Sequence, residues 1–178
     1  MVTNSNVKNK RYALISTFDK SNLKSICHVL KKFSINIIST GMTAKHIRKL
    51  GFSCLNISDL TKFKEILSGR VKTLHPKIHA SLLFDRNNPE HIATFNSLDF
   101  PKIDFIISNL YSVENFINSK NNNKILEMID IGGPTLLRSA AKNFNSVTTI
   151  SSPNLYSSFV KEMKTNKGTT TLDFRKKM

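Results

Sequence analysis

The chain has 178 residues, of which 39% are hydrophobic and 22% charged, as is typical of one globular domain. No apolar run approaches the roughly 18 residues of a membrane-spanning helix, and no signal-peptide core precedes the first strand-like run, so we expect a cytoplasmic protein without a membrane partner. The formal net charge of +15 comes mostly from lysines spread along the chain, which favours a solvated basic surface over nucleic-acid binding.

Apolar runs alternate with segments of helical period in the first part of the chain. The predicted elements are a strand at 12–17, a helix at about 22–33, a strand at 35–40, a helix at 41–51 and a more polar strand at 53–58. Ser21 is a candidate N-cap, and Gly51 marks a helix end. Cys27 and Cys54 lie in these apolar segments without metal-ligand spacing, so we interpret both as buried small residues.

A long irregular stretch follows, and it contains the basic motif "GRVKTLHPKIHA" at 69–80 before continuing through "HASLLF". The later predicted elements are a helix near Pro89–Ser97, a strand at 103–110, a polar loop "NSKNNNK", a short helix at 124–129, a helix beginning near Pro134, a strand at 146–151 and a helix at 153–165. The end of the chain has the pattern of a helix that is cut short.

The alternation of strands and helices predicts an α/β fold with a mostly parallel, doubly wound central sheet and helices on both faces. We expect a disordered N-terminal arm at 1–10, one domain at 11–174 and a short tail at 175–178. Ligands in such folds bind beyond the carboxyl ends of the strands.

Polar motifs follow the predicted strands at that edge. They are "STFDK", "TGMT", "GRVKTLHP", "NLY" and "DIGG", the last leading a helix that carries Arg138 and Lys142. Hydroxyl groups, cations and the N–H groups of a helix start together suit a phosphorylated ligand with a polar body.

Each motif also has a plain structural interpretation. Asp130 would cap the helix near Pro134, and Lys142 would be a solvated cation at a helix end. His75 and His79 would be loop or packing residues, and Tyr111 would close the core with its hydroxyl in water. The combination favours a ligand site over separate structural features.

Four motifs carry a resemblance to a known family. In the same order, "ALIST" with "DK", "STGMTAK", "GRVKTLHPKIHA" and "DIGGPTLLRSAAKN" resemble the N-terminal domain of the bifunctional purine biosynthesis protein, from about Arg11 to Phe174. That protein joins IMP cyclohydrolase to AICAR transformylase. The resemblance implies a methylglyoxal-synthase-like (MGS-like) fold and a homodimer without metal or organic cofactor.

The implied reaction is closure of the formylated aminoimidazole carboxamide ribotide (FAICAR) to IMP with loss of water. A weakly nucleophilic carboxamide nitrogen attacks the formyl carbon, and nearby cations and N–H donors stabilise the charge on the formyl oxygen. Holding both reacting groups of one molecule in position supplies much of the remaining rate. The basic loop would then match an anionic substrate.

The resemblance also implies roles for individual residues. Those implied to bind the substrate are Ser16, Asp19, Lys20, Thr40, Gly41, Thr43, Arg70, Thr73, Asn109 and Gly132. Those implied to act in catalysis are Lys72, Tyr111, Asp130 and Lys142. A lysine near a carboxylate and a tyrosine can move protons, so Lys142 is expected to face Asp130 across the ligand.

The chain departs from the family pattern at four positions. Phe18 replaces a small residue, and Met42 replaces a glycine at a cost on the order of 1 kcal/mol if its φ is positive. Ser112 and Lys64 replace prolines in loops. We expect no transformylase domain in this chain. A catalytically impaired or truncated remnant that acts as a ligand-binding or regulatory module stays the alternative, and a nucleic-acid binder is the third class.

Overall fold

The computed structural model describes residues 10–98, 100–111, 122–127 and 129–178. Its sheet has five parallel strands in the order β3-β2-β1-β4-β5. The strands are β1 (Arg11–Thr17), β2 (Asn36–Ser39), β3 (Leu55–Asn56), β4 (Lys102–Asn109) and β5 (Thr148–Ile150). The predicted α/β class with a parallel sheet is confirmed.

Nine helices surround the sheet within the described residues. They are α1 (Leu23–Lys32), α2 (Gly41–Lys49), α3 (Ile57–Thr61), α4 (Pro76–Leu83), α5 (Pro89–Ser97), α6 (Asn122–Glu127), α7 (Gly132–Lys142), α8 (Tyr156–Thr165) and α9 (Leu172–Lys177). None of these described helices is long and apolar enough to cross a membrane.

Two hydrophobic cores lie on opposite faces of the sheet. Ala13, Ile15 and Phe105 pack towards α1, α2 and α8, whereas Leu14 and Ile106 pack towards α4 and α7. Successive strand residues point to opposite faces, so short apolar strands such as β1 supply both cores. This is why the strands read as continuous apolar runs.

Several element predictions are wrong in detail. Ser21 does not cap α1, because the N-cap is Asn22 in a left-handed conformation without a side-chain cap. The predicted strand at 53–58 is only two residues long, and its end forms α3. The stretch read as irregular through "HASLLF" contains α4, with His75 as the N-cap and Pro76 in its first turn.

The expected domain limits stay a prediction. Residues 1–9 of the expected arm and residues 112–121, including Ser112 and most of the polar loop, lie outside the described residues. Helix α9 runs through Lys177, so the boundary expected at 174 falls inside a helix.

Both cysteines have the environment predicted for packing residues. Cys27 is buried in the α1 face of the core, and Cys54 is half-buried against the same core. Burial raises the pKa of the Cys27 thiol to about 12 and that of Cys54 to about 11. Neither thiol therefore has the thiolate character that a nucleophile needs.

At the amino end of the sheet, one buried carboxylate holds two guanidinium groups. Asp104 accepts hydrogen bonds from Nε of Arg11 and, at 2.7 Å, from Nη1 of Arg86. Arg86 also donates to the Ile103 carbonyl and Arg11 to the Gly168 carbonyl. This cluster ties β1, β4 and two loops together.

Candidate functional site

A cavity of about 820 Å³ opens at the carboxyl end of the sheet. It is lined by the end of β1, the start of α2, the loop before α4, the end of β4 and the residues that lead into α7. Ligand cavities have volumes of about 300–1,000 Å³, so this one has room for a small ligand. It stays open although Phe18 and Met42 both line it.

All but two of the predicted site residues line this cavity. Those that do are Ser16, Lys20, Thr40, Gly41, Thr43, Arg70, Lys72, Thr73, Asn109, Tyr111, Asp130 and Gly132. Asp19 and Lys142 do not line it. Segments far apart in the sequence therefore meet at the edge where the strand order places them.

Asn109 fixes the loop that follows β1. Its side-chain oxygen accepts the backbone N–H groups of Phe18 and Asp19, both at 2.8 Å. Its amide nitrogen donates to the Asp19 carbonyl, also at 2.8 Å. Because these bonds occupy both ends of the amide, Asn109 positions the loop in this structure.

The two charged residues of that loop face different partners. Lys20 donates from Nζ to the Phe18 carbonyl at 3.0 Å, and its side chain lines the cavity. The Asp19 carboxylate accepts the Ser21 N–H at 2.8 Å, and the Ser21 hydroxyl, followed by this backbone N–H, lowers the pKa of Asp19. Lys20 is thus available to an anion, while Asp19 stabilises the following turn.

The start of α2 presents backbone N–H groups to the cavity. Thr40 is the N-cap, yet its side chain makes no capping hydrogen bond, so the first N–H groups have no partner there. The positive φ of this turn falls on Gly41, at 38°, and Met42 is helical. Met42 therefore carries no backbone strain. Thr43 exchanges hydrogen bonds with the Thr17 backbone, which holds α2 against β1.

Two cations of the basic loop that line the cavity pair with carboxylates. Arg70 contacts Glu127, which raises the pKa of the guanidinium and lowers that of the carboxyl. Lys72 Nζ lies 3.5 Å from Glu65 Oε2. Solvent-exposed ion pairs are weak, so an anionic ligand can compete for both cations.

The two glycines of "DIGG" allow close packing around Asp130. A Cβ at Gly132 would lie 2.7 Å from Thr73 Oγ1, and one at Gly133 would lie 2.4 Å from Asp130 Oδ2. The Gly133 N–H donates to Asp130 Oδ1 at 2.9 Å. The N-cap position of α7 is Ile131 rather than Asp130, so the capping interpretation is wrong in position, but Asp130 binds an N–H group of the first turn and also lines the cavity.

The expectation that Lys142 faces Asp130 across the cavity is wrong. Helix α7 begins beside Asp130 and ends at Lys142, which is exposed. A helix rises about 1.5 Å per residue, so the lysine lies roughly 15 Å further along the axis. Lys142 matches the lysine of the family motif "AAKN", but it does not line the cavity of the same chain.

The structure adds residues that the sequence patterns did not single out. The hydroxyl of Thr17 is buried at the cavity and makes no hydrogen bond with a described residue. Leu126, Ile129 and Ile131 line the cavity with exposed apolar side chains. Thr17 adjoins Ser16 at a strand end, which was a usable signal. Leu126 and Ile129 lie in the segment predicted as a short helix, and the sequence does not show that this segment lines the cavity.

These features define a class of protein. A parallel α/β sheet carries, at its carboxyl edge, a cavity that combines the start of a helix with several cations and hydroxyl groups. Such a site suits a small phosphorylated ligand.

The family is shown by the sequence. The profile of the MGS-like domain matches residues 22–135, and the chain belongs to the MGS-like domain family. The matched segment includes α2, the basic loop, β4 and the start of α7.

Curated relatives extend the match to most of the chain. The chain is 45% identical over 160 residues to the bifunctional purine biosynthesis protein PurH of Caldicellulosiruptor bescii, covering 89% of the chain and 31% of that protein. It is 42% identical over 169 residues to PurH of Mesorhizobium japonicum, covering 94% of the chain and 31% of that protein. The chain thus spans about a third of the length of these relatives.

A solved structure has the same fold. The crystal structure of ForH matches with a TM-score of 0.85 and 26% identity, covering 93% of this chain and 85% of that chain.

Proposed function

We propose that this chain is an IMP cyclohydrolase domain, which closes FAICAR to IMP with release of water in purine biosynthesis. The observation that carries the proposal is the convergence of Lys72, Tyr111 and Asp130 with the α2 start and Lys20 at one cavity. The relatives named as bifunctional purine biosynthesis proteins supply the substrate class.

The chemistry assigns a task to each end of the cavity. The free N–H groups of α2 and the Lys20 ammonium hold the ribotide phosphate. Arg70 and Lys72 lie in the loop that stabilises negative charge on the formyl oxygen as the ring closes. Tyr111 and Asp130 move protons from the carboxamide nitrogen towards the departing water. The reaction is intramolecular, so holding one reactive conformer is a large part of catalysis.

The resemblance implies no cofactor, and the proposed steps invoke none. It also implies a homodimer in the cytoplasm, and we propose both for this chain. Lys142 does not line the cavity of its own protomer, so the proposed mechanism gives it no role in that cavity.

A second candidate is a binding module that takes the same phosphorylated ligand without turnover. The position of Lys142 favours it, because the expected proton-transfer lysine is missing from the cavity. Asn109 and Asp130 also make hydrogen bonds that stabilise the scaffold.

One assay separates the two candidates. Purified protein is incubated with FAICAR, and IMP formation is followed by absorbance for the wild type, Lys72→Met and the exposed control Lys24→Met. Cyclohydrolase activity predicts turnover that falls by roughly 100-fold or more in Lys72→Met and stays unchanged in Lys24→Met. Binding of IMP without turnover of FAICAR supports the module instead.

A further inference from the structure

The cavity has an apolar rim above a polar floor. Met42, Ile131 and Phe18 line it, with exposed fractions of 68%, 57% and 49%. The floor includes buried polar residues such as Thr40 and Thr73. Large apolar side chains exposed in a concave site mark a surface that a ligand covers. A phosphate or a sugar phosphate alone leaves that rim in water.

Several contacts hold Phe18 in this rim. Its ring contacts the Tyr111 ring with centroids 4.6 Å apart and planes tilted by 53°. Its backbone N–H donates to Asn109 Oδ1 at 2.8 Å, and its carbonyl accepts from Lys20 Nζ at 3.0 Å. The aromatic pair is therefore in place before any ligand binds, which lowers the entropy cost of using it.

The pair lies where two neighbouring strands end. Thr17 in β1 is in register with Asn109 in β4. Phe18 directly follows Thr17, and Tyr111 follows Asn109 after one intervening residue. The start of α2, where we propose that the phosphate binds, lies on the other side of β1, at the end of β2. The two features together suit a ligand that has an anionic group at one end and a flat ring at the other.

We propose that Phe18, together with Tyr111, forms a stacking surface for the heteroaromatic base of the ligand, so that Phe18 determines specificity for nucleotides over plain sugar phosphates. This inference rests on the proposed function, because it takes the ribotide as the ligand. Stacking of a base on an aromatic side chain changes affinity by roughly 5- to 150-fold. The opposite possibility is that the bulky Phe18 obstructs the site.

The test compares two ligands that differ by the base. Calorimetric titration gives Kd for IMP and for ribose 5-phosphate with the wild type, Phe18→Leu, Phe18→Tyr and Phe18→Ala. Phe63→Leu is the matched control, because Phe63 is a similarly exposed ring that does not line the cavity. Thermal melts confirm that each variant is folded.

The proposal predicts that Phe18→Leu weakens IMP binding about tenfold and changes ribose 5-phosphate binding less than twofold. Phe18→Tyr and Phe63→Leu should keep the wild-type ratio of the two Kd values. An unchanged ratio in Phe18→Leu overturns the inference, and so does tighter IMP binding by Phe18→Ala, which identifies obstruction.

The outcome is separable from that of the proposed function. A changed Kd ratio in a protein that does not turn over FAICAR keeps the stacking surface and rejects the cyclohydrolase. If the wild type and Phe18→Leu turn over FAICAR equally and have the same Kd ratio, the proposed cyclohydrolase activity is supported and the stacking surface is rejected. A wild type that binds neither ligand rejects both.

Discussion

The two ends of the central sheet both carry charge, but they hold it differently. At the amino end, Asp104 is buried and its two oxygens bind Arg11 and Arg86. At the carboxyl end, Arg70 and Lys72 line an open cavity, and among the described residues each pairs with an exposed carboxylate. The first arrangement uses charge to join parts of the fold, and the second leaves charge for a ligand. Burial and pairing thus distinguish a structural ionic cluster from a candidate site.

The largest effect is expected from breaking the amino-end cluster. Asp104→Asn leaves two guanidinium groups beside a neutral amide, and loss of a buried ionic partner costs about 3–5 kcal/mol of unfolding free energy. Chemical denaturation measures this loss, with the exposed Asp59→Asn as the control. The Kd for IMP should stay unchanged wherever the variant is folded, and a large change in Kd would mean that the two ends are coupled.

A smaller effect is expected where the cavity wall is tightly packed. In Gly133→Ala, the new Cβ would lie 2.4 Å from Asp130 Oδ2 and 2.6 Å from Leu110 Cδ2, so the carboxylate must move. We expect a loss of about 1–3 kcal/mol in unfolding free energy and weaker IMP binding. The same substitution in an Asp130→Ala background should cost less, because one of the two clashes is gone. An equal cost in both backgrounds would contradict the packing of Asp130 against Gly133.

The smallest effect concerns His79 in α4. Its Nδ1 is 2.9 Å from Ser139 Oγ, and its buried Nε2 makes no hydrogen bond with a described residue. Burial lowers the pKa of His79, and the backbone of Thr73 offsets only part of that effect.

The sign of the pH dependence follows from this direction. As the pH falls below about 6.5, the unfolded chain takes up the His79 proton more readily than the folded protein, so stability is lost towards acid pH. Between pH 7.5 and 5.5, the wild-type Tm should fall by about 2 °C more than that of His79→Gln, as measured by calorimetry. Equal shifts in the two proteins would show that the folded state accepts the proton freely.

Much of the fold was predictable from local patterns. Strands β1 and β4 are short apolar runs buried on both faces, and the helix predicted at Pro89–Ser97 matches α5. Helix α4 was not predicted, because it begins inside the basic motif, where the cations and the proline after His75 hide the helical pattern. The N-cap role of His75 depends on side-chain geometry that spacing does not show.

The candidate site was predictable in outline but not in its details. Parallel topology brings the ends of β1, β2 and β4 together, so the residues that follow them meet. The placement of Lys142 could not be predicted, because a motif match gives the identity of a residue, whereas the length of α7 sets its distance from the cavity of its own protomer. The Phe18–Tyr111 contact joins residues 93 positions apart, and only the structure shows it.

The most direct measurement is a crystal structure of the protein with IMP. The account predicts the phosphate at the start of α2 beside Lys20 and the base against Phe18 and Tyr111. A phosphate bound elsewhere, such as beside Lys142, or an empty cavity at saturating IMP would contradict it.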